Sequence, residues 1–469
     1  MERNGQEEAA AAGAIRDGRI FLGMEFGSTR IKAVLTDENH IPLASGSYSW
    51  QDHLNGGYWS YPLEEALTGA AAAYRSLSEE AFSRYGTVIR RIAGMGVSAM
   101  MHGYLPFDAQ DQLLVPFRTW RNTTTGEAAA ALTQLFDFPI PQRWSIAHLY
   151  QAILNREPHV AQIARLTTLA GYIHYRLTGL SAVGIGEASG MFPVDSIRDY
   201  QAGMLQQFDE LTAPYQFPWK LRQILPEVRQ AGEDAGFLTA EGAALLDPSG
   251  NLQPGTPLCP PEGDAGTGMV ATNSIAPRTG NISAGTSLFA MIVTEHPLKK
   301  AHPEIDIVAT PAGLTAAMVH CNNGMQEISA WGSLFSSFAS AAGFDCPLSQ
   351  TLNVMFEAAK SGASDGGGLL SFNYRSGEPV TKVGEGRPLF MRLPDAAFSF
   401  PDFCREQIYS SLASLRLGMD LLFCEEGIGL DLLCGQGGFF KSRETATRML
   451  AASLNVKTAL RESAGEGGP

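Results

Sequence analysis

Two stretches of the chain place a glycine beside two hydroxyl residues at a corner between apolar runs. In GMEFGSTRIKAVLT the corner is Gly27, Ser28 and Thr29, with Glu25 just before it. In NISAGTSLFAMIVT it is Gly285, Thr286 and Ser287. Small residues let the backbone come close to a ligand, and successive N–H groups form an anion-binding concavity. Such a corner can hold phosphate oxygens, or it can simply be the tight turn of a β-hairpin, with Gly27 required by the turn. A third stretch, PPEGDAGTGMVATNS, offers Asp264 at a loop entering a helix, where a carboxylate is also a good helix start. A fourth, MMHG, sets His102 at the end of a buried strand, a place where a histidine can read a ligand or only pin the strand. Each signal alone is weak. The two corners overlay with matching apolar flanks, which points to two related halves, each opened by a hairpin.

The elements that position these residues follow from pattern. Residues 20–48 read as three short strands turning at Gly-Ser-Thr and again at DENH. Residues 62–86 read as a helix opened by Pro62 and closed by Gly86. RIAGMGVSAM is a buried strand that delivers His102. Residues 124–180 carry several helical stretches, GIGEASGMFP (184–193) reads as a glycine-rich loop, and 372–390 reads as a loop over the second half. DLLCGQGGFFKSRETATRML reads as strand, glycine-rich loop and helix, with Ser442 suited to an N-cap.

The bulk numbers bound the function. At 469 residues the chain is expected to form two or three domains. A formal net charge of −14 argues against a general nucleic-acid surface and, more weakly, against anionic membranes. The six cysteines form no CxxC pair, so neither a zinc site nor a disulfide framework is expected. No apolar run could span a bilayer, and the acidic, alanine-rich start is not a signal peptide. Residues 1–18 are expected to be a disordered tail, and the protein cytoplasmic.

In order along the chain, GMEFGSTRIKAVL, MMHG, EGDAGTG, SAGTS and GQGGFFKS resemble the FGGY carbohydrate kinases, most closely the xylulokinase-like members. The resemblance covers nearly everything from residue 20. It implies an α/β fold of two actin-like (RNase H-like) domains with a cleft between them, 19–275 for sugar and catalytic base and 276–469 for ATP. It implies ATP-dependent phosphorylation of a ketose, a pentulose such as xylulose, on a terminal hydroxyl. Asp264 would be the catalytic base and, with Glu25, a Mg²⁺ ligand. Met101, His102, Gly103 and Trp120 would line the sugar with Asp264. Gly27, Ser28, Thr29, Gly285, Thr286 and Ser287 would hold ATP phosphates, and Gly437, Gly438 and Ser442 the rest of the nucleotide. The expected partners are a small-molecule sugar and ATP, with no nucleic acid and no membrane; a homodimer is allowed. Three departures stand out: Glu25 where the family has Asp, Asn122 and Thr124 in RTWRNTTT where relatives carry Asp and Arg, and an end at SAGEGGP where relatives continue into a final helix. They keep open a kinase of another polyol or sugar acid, or a degenerate relative that binds without catalysis.

Overall fold

The computed structural model describes residues 5–195 and 199–460. The chain divides into two compact units, one holding residues 1–268 with 308–313 and the other 269–307 with 314–467.

The first unit begins with α1 (Gly5–Asp17), so the tail expected over residues 1–18 is helical from Gly5 onward. Four successive alanines favour helix, and Glu7 and Glu8 in the first turn complement its dipole. Ala11, Ala14 and Ile15 are buried in the core of this unit, which anchors the segment. A five-stranded sheet follows: β1 (Ile20–Phe26), β2 (Arg30–Asp37), β3 (Pro42–Ser49), β4 (Gly94–Ala99) and β5 (Glu262–Gly263), in the order β5-β4-β1-β2-β3. Along β1 the burial alternates, which fits a strand with one face on the core. Helix α2 (Leu63–Tyr85) covers β2 and β3, with Pro62 at its N-cap and Gly86 left-handed at its C-cap, as the sequence predicts. Further on come α3 (Ser145–Leu154), α4 (Ile185–Ser189) and α5 (Asp264–Ala271).

The stretch 184–193 is therefore not the simple glycine-rich loop expected, since its first half forms α4. Its glycines answer to close packing: a Cβ on Gly184 or Gly186 would lie 2.2 or 2.5 Å from the Glu262 carboxylate.

The second unit repeats the opening hairpin. Strands β6 (Thr279–Ala284) and β7 (Leu288–Val293) pair antiparallel. With β8 (Ile305–Ala309), β9 (Thr315–Cys321), β12 (Leu432–Gln436) and β13 (Thr458–Leu460) they form a six-stranded sheet ordered β8-β9-β7-β6-β12-β13. Between β9 and β12 lie α6 (Gln326–Ala341), α7 (Leu348–Ala359), the hairpin β10 (Leu369–Phe372) and β11 (Leu389–Arg392), and the long α8 (Phe400–Asp420). The stretch 372–390 is mostly irregular but ends in β11. Helix α9 (Arg443–Leu454) follows β12.

Candidate active site

In the first sheet, β1, β4 and β5 run parallel, and their register aligns their ends. Glu25 stands opposite Ser98, and Ser98 opposite Glu262; Phe26, Ala99 and Gly263 form the next row. Three predicted site segments thus leave the sheet side by side at strand carboxyl ends: Gly27–Thr29, Met101–Gly103 and Asp264. In open α/β sheets, that edge is where ligands bind.

The first corner has its polar groups sorted. The carbonyl of Gly27 accepts the Trp50 indole N–H at 2.7 Å, that of Ser28 accepts the Tyr61 hydroxyl at 2.7 Å, and that of Thr29 accepts the Trp50 amide at 3.2 Å. All three carbonyls are tied back to the protein, while the Ser28 and Thr29 side chains are exposed. Withdrawing the negative ends of the peptide dipoles suits an anion. Gly27 is not among the positive-φ residues, so its backbone does not demand glycine; a Cβ there would press the Arg30 carbonyl at 3.3 Å.

The second corner shows the same arrangement within its own unit. The Gly285 carbonyl accepts the Met325 amide and the Thr286 carbonyl the Gly324 amide, each at 2.9 Å. Gly437, at the end of β12, packs so closely that a Cβ would lie 2.6 Å from the Ala284 carbonyl, and its φ of 98° favours glycine. Gly438 faces open space. Ser442 occupies the N-cap position of α9, yet its side chain makes no capping hydrogen bond.

The turn after β4 is strained. His102 has φ of 69° and Gly103 of 97°, and a non-glycine residue held there marks a position the surroundings over-determine. The His102 ring is buried. Its Nδ1 lies 3.2 Å from the Gly190 carbonyl, and it stacks on Trp144 at 6.5 Å between centroids. A Cβ on Gly190 would come within 2.7 Å of that nitrogen. The Met101 side chain runs against Gly263 and Gly190.

Asp264 opens α5, whose first turn is pinned to β4 by the Thr267 and Ser98 hydroxyls at 2.9 Å. Burial pushes its carboxyl up to about 7, and the neighbouring charge of Glu25 adds to that; hydrogen bonds from the Met101, Ala265 and Asp264 amides oppose it. A carboxylate in this range is suited to accept a proton near neutral pH. Glu25 also pairs with Lys32 at 2.9 Å, its cross-strand partner. Two further buried carboxylates lie close by. Glu262 accepts the Gly186 and Glu187 amides, and burial raises it to about 7. Glu187 is fully buried and well above the usual carboxylate range, with desolvation the main cause and the Glu262 and Asp264 charges adding; the Thr168 hydroxyl opposes the shift.

Trp120 is 37% exposed, on a loop. Its neighbour Asn122 braces that loop. The Asn122 Oδ1 accepts the Trp59 amide at 2.8 Å, and its Nδ2 donates to the Trp59 and Thr119 carbonyls at 2.9 and 3.1 Å.

Sequence reasoning passed over Lys32, although the hairpin register places it opposite Glu25. It also passed over Trp50, Tyr61 and Gly324, which meet the corners only in the fold. Arg143 belongs with them. Its carbonyl accepts the Gly103 amide at 3.3 Å, and burial lowers its guanidinium to about 10. Among the described residues, no group of three or more His, Cys, Asp or Glu side chains could hold a metal by itself.

The comparisons agree with this frame. The FGGY family of carbohydrate kinases, N-terminal domain, matches residues 20–268, and the C-terminal domain of the same family matches residues 280–467. The chain belongs to the FGGY family and is a carbohydrate kinase, with ATP as the phosphate donor used in that family. It is 22% identical over 443 residues to a xylulose kinase of Haemophilus influenzae, covering 90% of this chain and 83% of that one. A gluconate kinase of Lactobacillus acidophilus superposes with a TM-score of 0.78 at 17% identity, over 96% of this chain and 87% of the other. A xylulose kinase from Brucella ovis gives 0.77 at 20% identity, over 96% and 88%. These likenesses extend to the actin-like ATPase fold.

Proposed function

We propose that the protein transfers the γ-phosphoryl group of ATP to a terminal hydroxyl of a ketose, a pentulose such as xylulose. The observation that carries this reading is the convergence of the Asp264 carboxyl and the strained Met101–Gly103 turn at one row of strand ends. In this reading Asp264 takes the proton of the sugar hydroxyl as its oxygen bonds to the γ-phosphorus and the bond to ADP breaks. His102, Met101 and Gly103 orient the sugar, with Trp120 at the rim. Gly27, Ser28 and Thr29, and in the other unit Gly285, Thr286 and Ser287, hold phosphate oxygens through backbone amides and hydroxyls. Gly437, Gly438 and Ser442 receive the remainder of the nucleotide. Most of the acceleration then comes from alignment and fixed dipoles.

Glu25 and Asp264 fit Mg²⁺, a hard cation usually held by one or two carboxylates together with substrate phosphates. When bound it supplies charge neutralisation at the phosphates. Six free thiols and an ATP-dependent reaction suit a cytoplasmic location.

A sugar acid is the second reading, because a gluconate kinase and a xylulose kinase, both of Lactobacillus acidophilus, superpose with the same TM-score of 0.78. A coupled ADP-release assay over ketoses, polyols and sugar acids tests both. Preference for a pentulose supports the proposal and preference for gluconate the alternative. Absence of turnover with any substrate, alongside a ligand-induced rise in melting temperature, identifies a binding protein without catalysis.

A further inference from the structure

Glu262 is buried, and the chain makes room for it. It stands in β5, two residues before Asp264, and its side chain reaches the first turn of α4. There Oε1 accepts the Gly186 amide at 3.2 Å and Oε2 the Glu187 amide at 2.8 Å. The first amides of a helix have no partner within it and are usually met by the side chain of the N-cap residue. The N-cap of α4 is Gly184, which has no side chain to offer. Glu262 supplies the missing acceptor from another strand, 76 and 75 positions along the chain from the two amides. Gly184 and Gly186 are glycine where a Cβ would strike that carboxyl.

What α4 carries gives this arrangement a purpose. The helix ends at Gly190, whose carbonyl lies 3.2 Å from Nδ1 of the His102 ring. A carbonyl only accepts, so this nitrogen holds the ring proton and donates it. In the neutral ring Nε2 is then the acceptor. Gly190 is placed in turn by the single turn of α4, since its amide donates to the Glu187 carbonyl at 3.0 Å. The far end of that turn is tied by the Ser189 hydroxyl, which accepts the Ala309 amide at 2.8 Å, and the near end by Glu262. We propose that Glu262 is a positioning residue for sugar recognition: by capping α4 it places the Gly190 carbonyl that fixes the orientation and tautomer of the His102 ring.

This role for Glu262 rests on the reading of His102 as sugar-facing. With the proton on Nδ1, Nε2 takes a hydrogen bond from a sugar hydroxyl; with the proton on Nε2, the ring can only donate there. The ring is buried and stacked on Trp144, so it has little freedom to reorient by itself. Because Glu262 belongs to the strand that runs into Asp264, one carboxyl sets the base and the sugar reader in the same frame. The corner at Gly27–Thr29 is held separately, by Trp50 and Tyr61. A cap that served folding alone would leave sugar and ATP affinities moving together. A positioning residue changes sugar affinity in particular.

The test sets Glu262→Ala, Glu262→Gln and His102→Ala beside wild type in KM for sugar, KM for ATP and melting temperature. In Glu262→Ala both α4 amides lose their acceptor, and the KM for sugar should rise roughly ten- to a hundredfold, as in His102→Ala, with the KM for ATP unchanged. Glu262→Gln keeps one acceptor oxygen and should show a smaller rise; it carries the comparison if the alanine variant does not fold. As a second measurement, ¹⁵N spectra of histidine-labelled protein at alkaline pH report the ring tautomer, with the His102 signal assigned by its loss in His102→Ala. Wild type should hold the proton on Nδ1, and the Glu262 variants should shift toward Nε2. Equal rises in both KM values, or a native His102 signal with an unchanged sugar KM in a folded Glu262 variant, overturn the proposal while leaving the reading of His102 in place. A sugar KM unmoved in His102→Ala overturns that reading, and the role of Glu262 with it.

Discussion

With Asp264 as the proposed base, activity and stability run against each other across one pH range. The Asp264 carboxyl titrates at about 7 instead of the ordinary 3.8, and that rise corresponds to about 4 kcal/mol disfavouring the carboxylate where it is buried. As a base it must be ionised. At pH 6 about a tenth of the molecules hold it ionised, so the rate should fall roughly tenfold per pH unit below 7. Stability runs the other way. The folded value lies above the unfolded one, so the contribution is complete below about pH 4 and is lost as pH rises through about 7. In Asp264→Asn, the amide oxygen can still accept the Met101 amide, but nothing titrates. The variant should lose about 10²–10⁴-fold in kcat. Without metal or nucleotide, it should also gain in melting temperature on wild type between pH 5.5 and pH 8.5. Glu262 is shifted without help from Asp264 and cancels in that difference; Glu187 loses the Asp264 charge that raises it, which adds to the difference in the same direction. The assays are kcat/KM for ATP at saturating sugar from pH 5 to 9, and melting curves at the two pH values. Wild-type turnover in the variant, an acid limb near pH 4, or a melting difference independent of pH would each refute the reasoning.

Other substitutions separate chemistry from support. His102→Ala should raise the KM for sugar, by the roughly 1–3 kcal/mol of a lost buried hydrogen bond, and leave the KM for ATP in place. His102→Gly should share that defect yet melt higher than the alanine variant, because glycine relieves the left-handed backbone; equal melting temperatures would deny the strain. Gly437→Ala should raise the KM for ATP and lower the melting temperature, since its Cβ meets the Ala284 carbonyl; wild-type kinetics would remove this loop from the nucleotide site. Asn122→Asp brings in the acidic residue that the family resemblance implies here but cannot donate to the Trp59 and Thr119 carbonyls. It should cost about 1–3 kcal/mol in denaturant unfolding without raising kcat, and a gain in kcat would show that the position reads substrate.

Much of the frame was legible because it rests on local pattern. The hairpins at Gly27 and Gly285, the helix from Leu63 to Tyr85 and the strand before His102 all follow from periodicity and punctuation. The glycine-rich stretch around Gly186 was misread because its glycines make room for Glu262, which lies 76 positions further along the chain and in contact only after folding. The N-terminal segment was misread because composition reported its exposed face, whereas Ala11, Ala14 and Ile15 are buried by the rest of the unit. Lys32 was within reach of sequence reasoning, since a hairpin closing on Gly27–Thr29 fixes its cross-strand pair. The partners that tie back the corner carbonyls were not, because no spacing rule links Gly27 to Trp50 or Gly285 to Met325.

The two corners proposed to hold phosphate reach the same electrostatic state by different hardware, and this makes them unequal under mutation. Side chains hold two of the three carbonyls at the first corner, through an indole and a phenol hydroxyl. A single base change in the gene can therefore free the Gly27 or Ser28 carbonyl to face an incoming anion. Main-chain amides of Gly324 and Met325 hold the second corner, and no side-chain replacement removes an amide short of proline. Drift in nucleotide affinity should accordingly collect at Trp50 and Tyr61, while the second corner stays fixed, so a selection for altered ATP affinity has its adjustable half in the N-terminal hairpin.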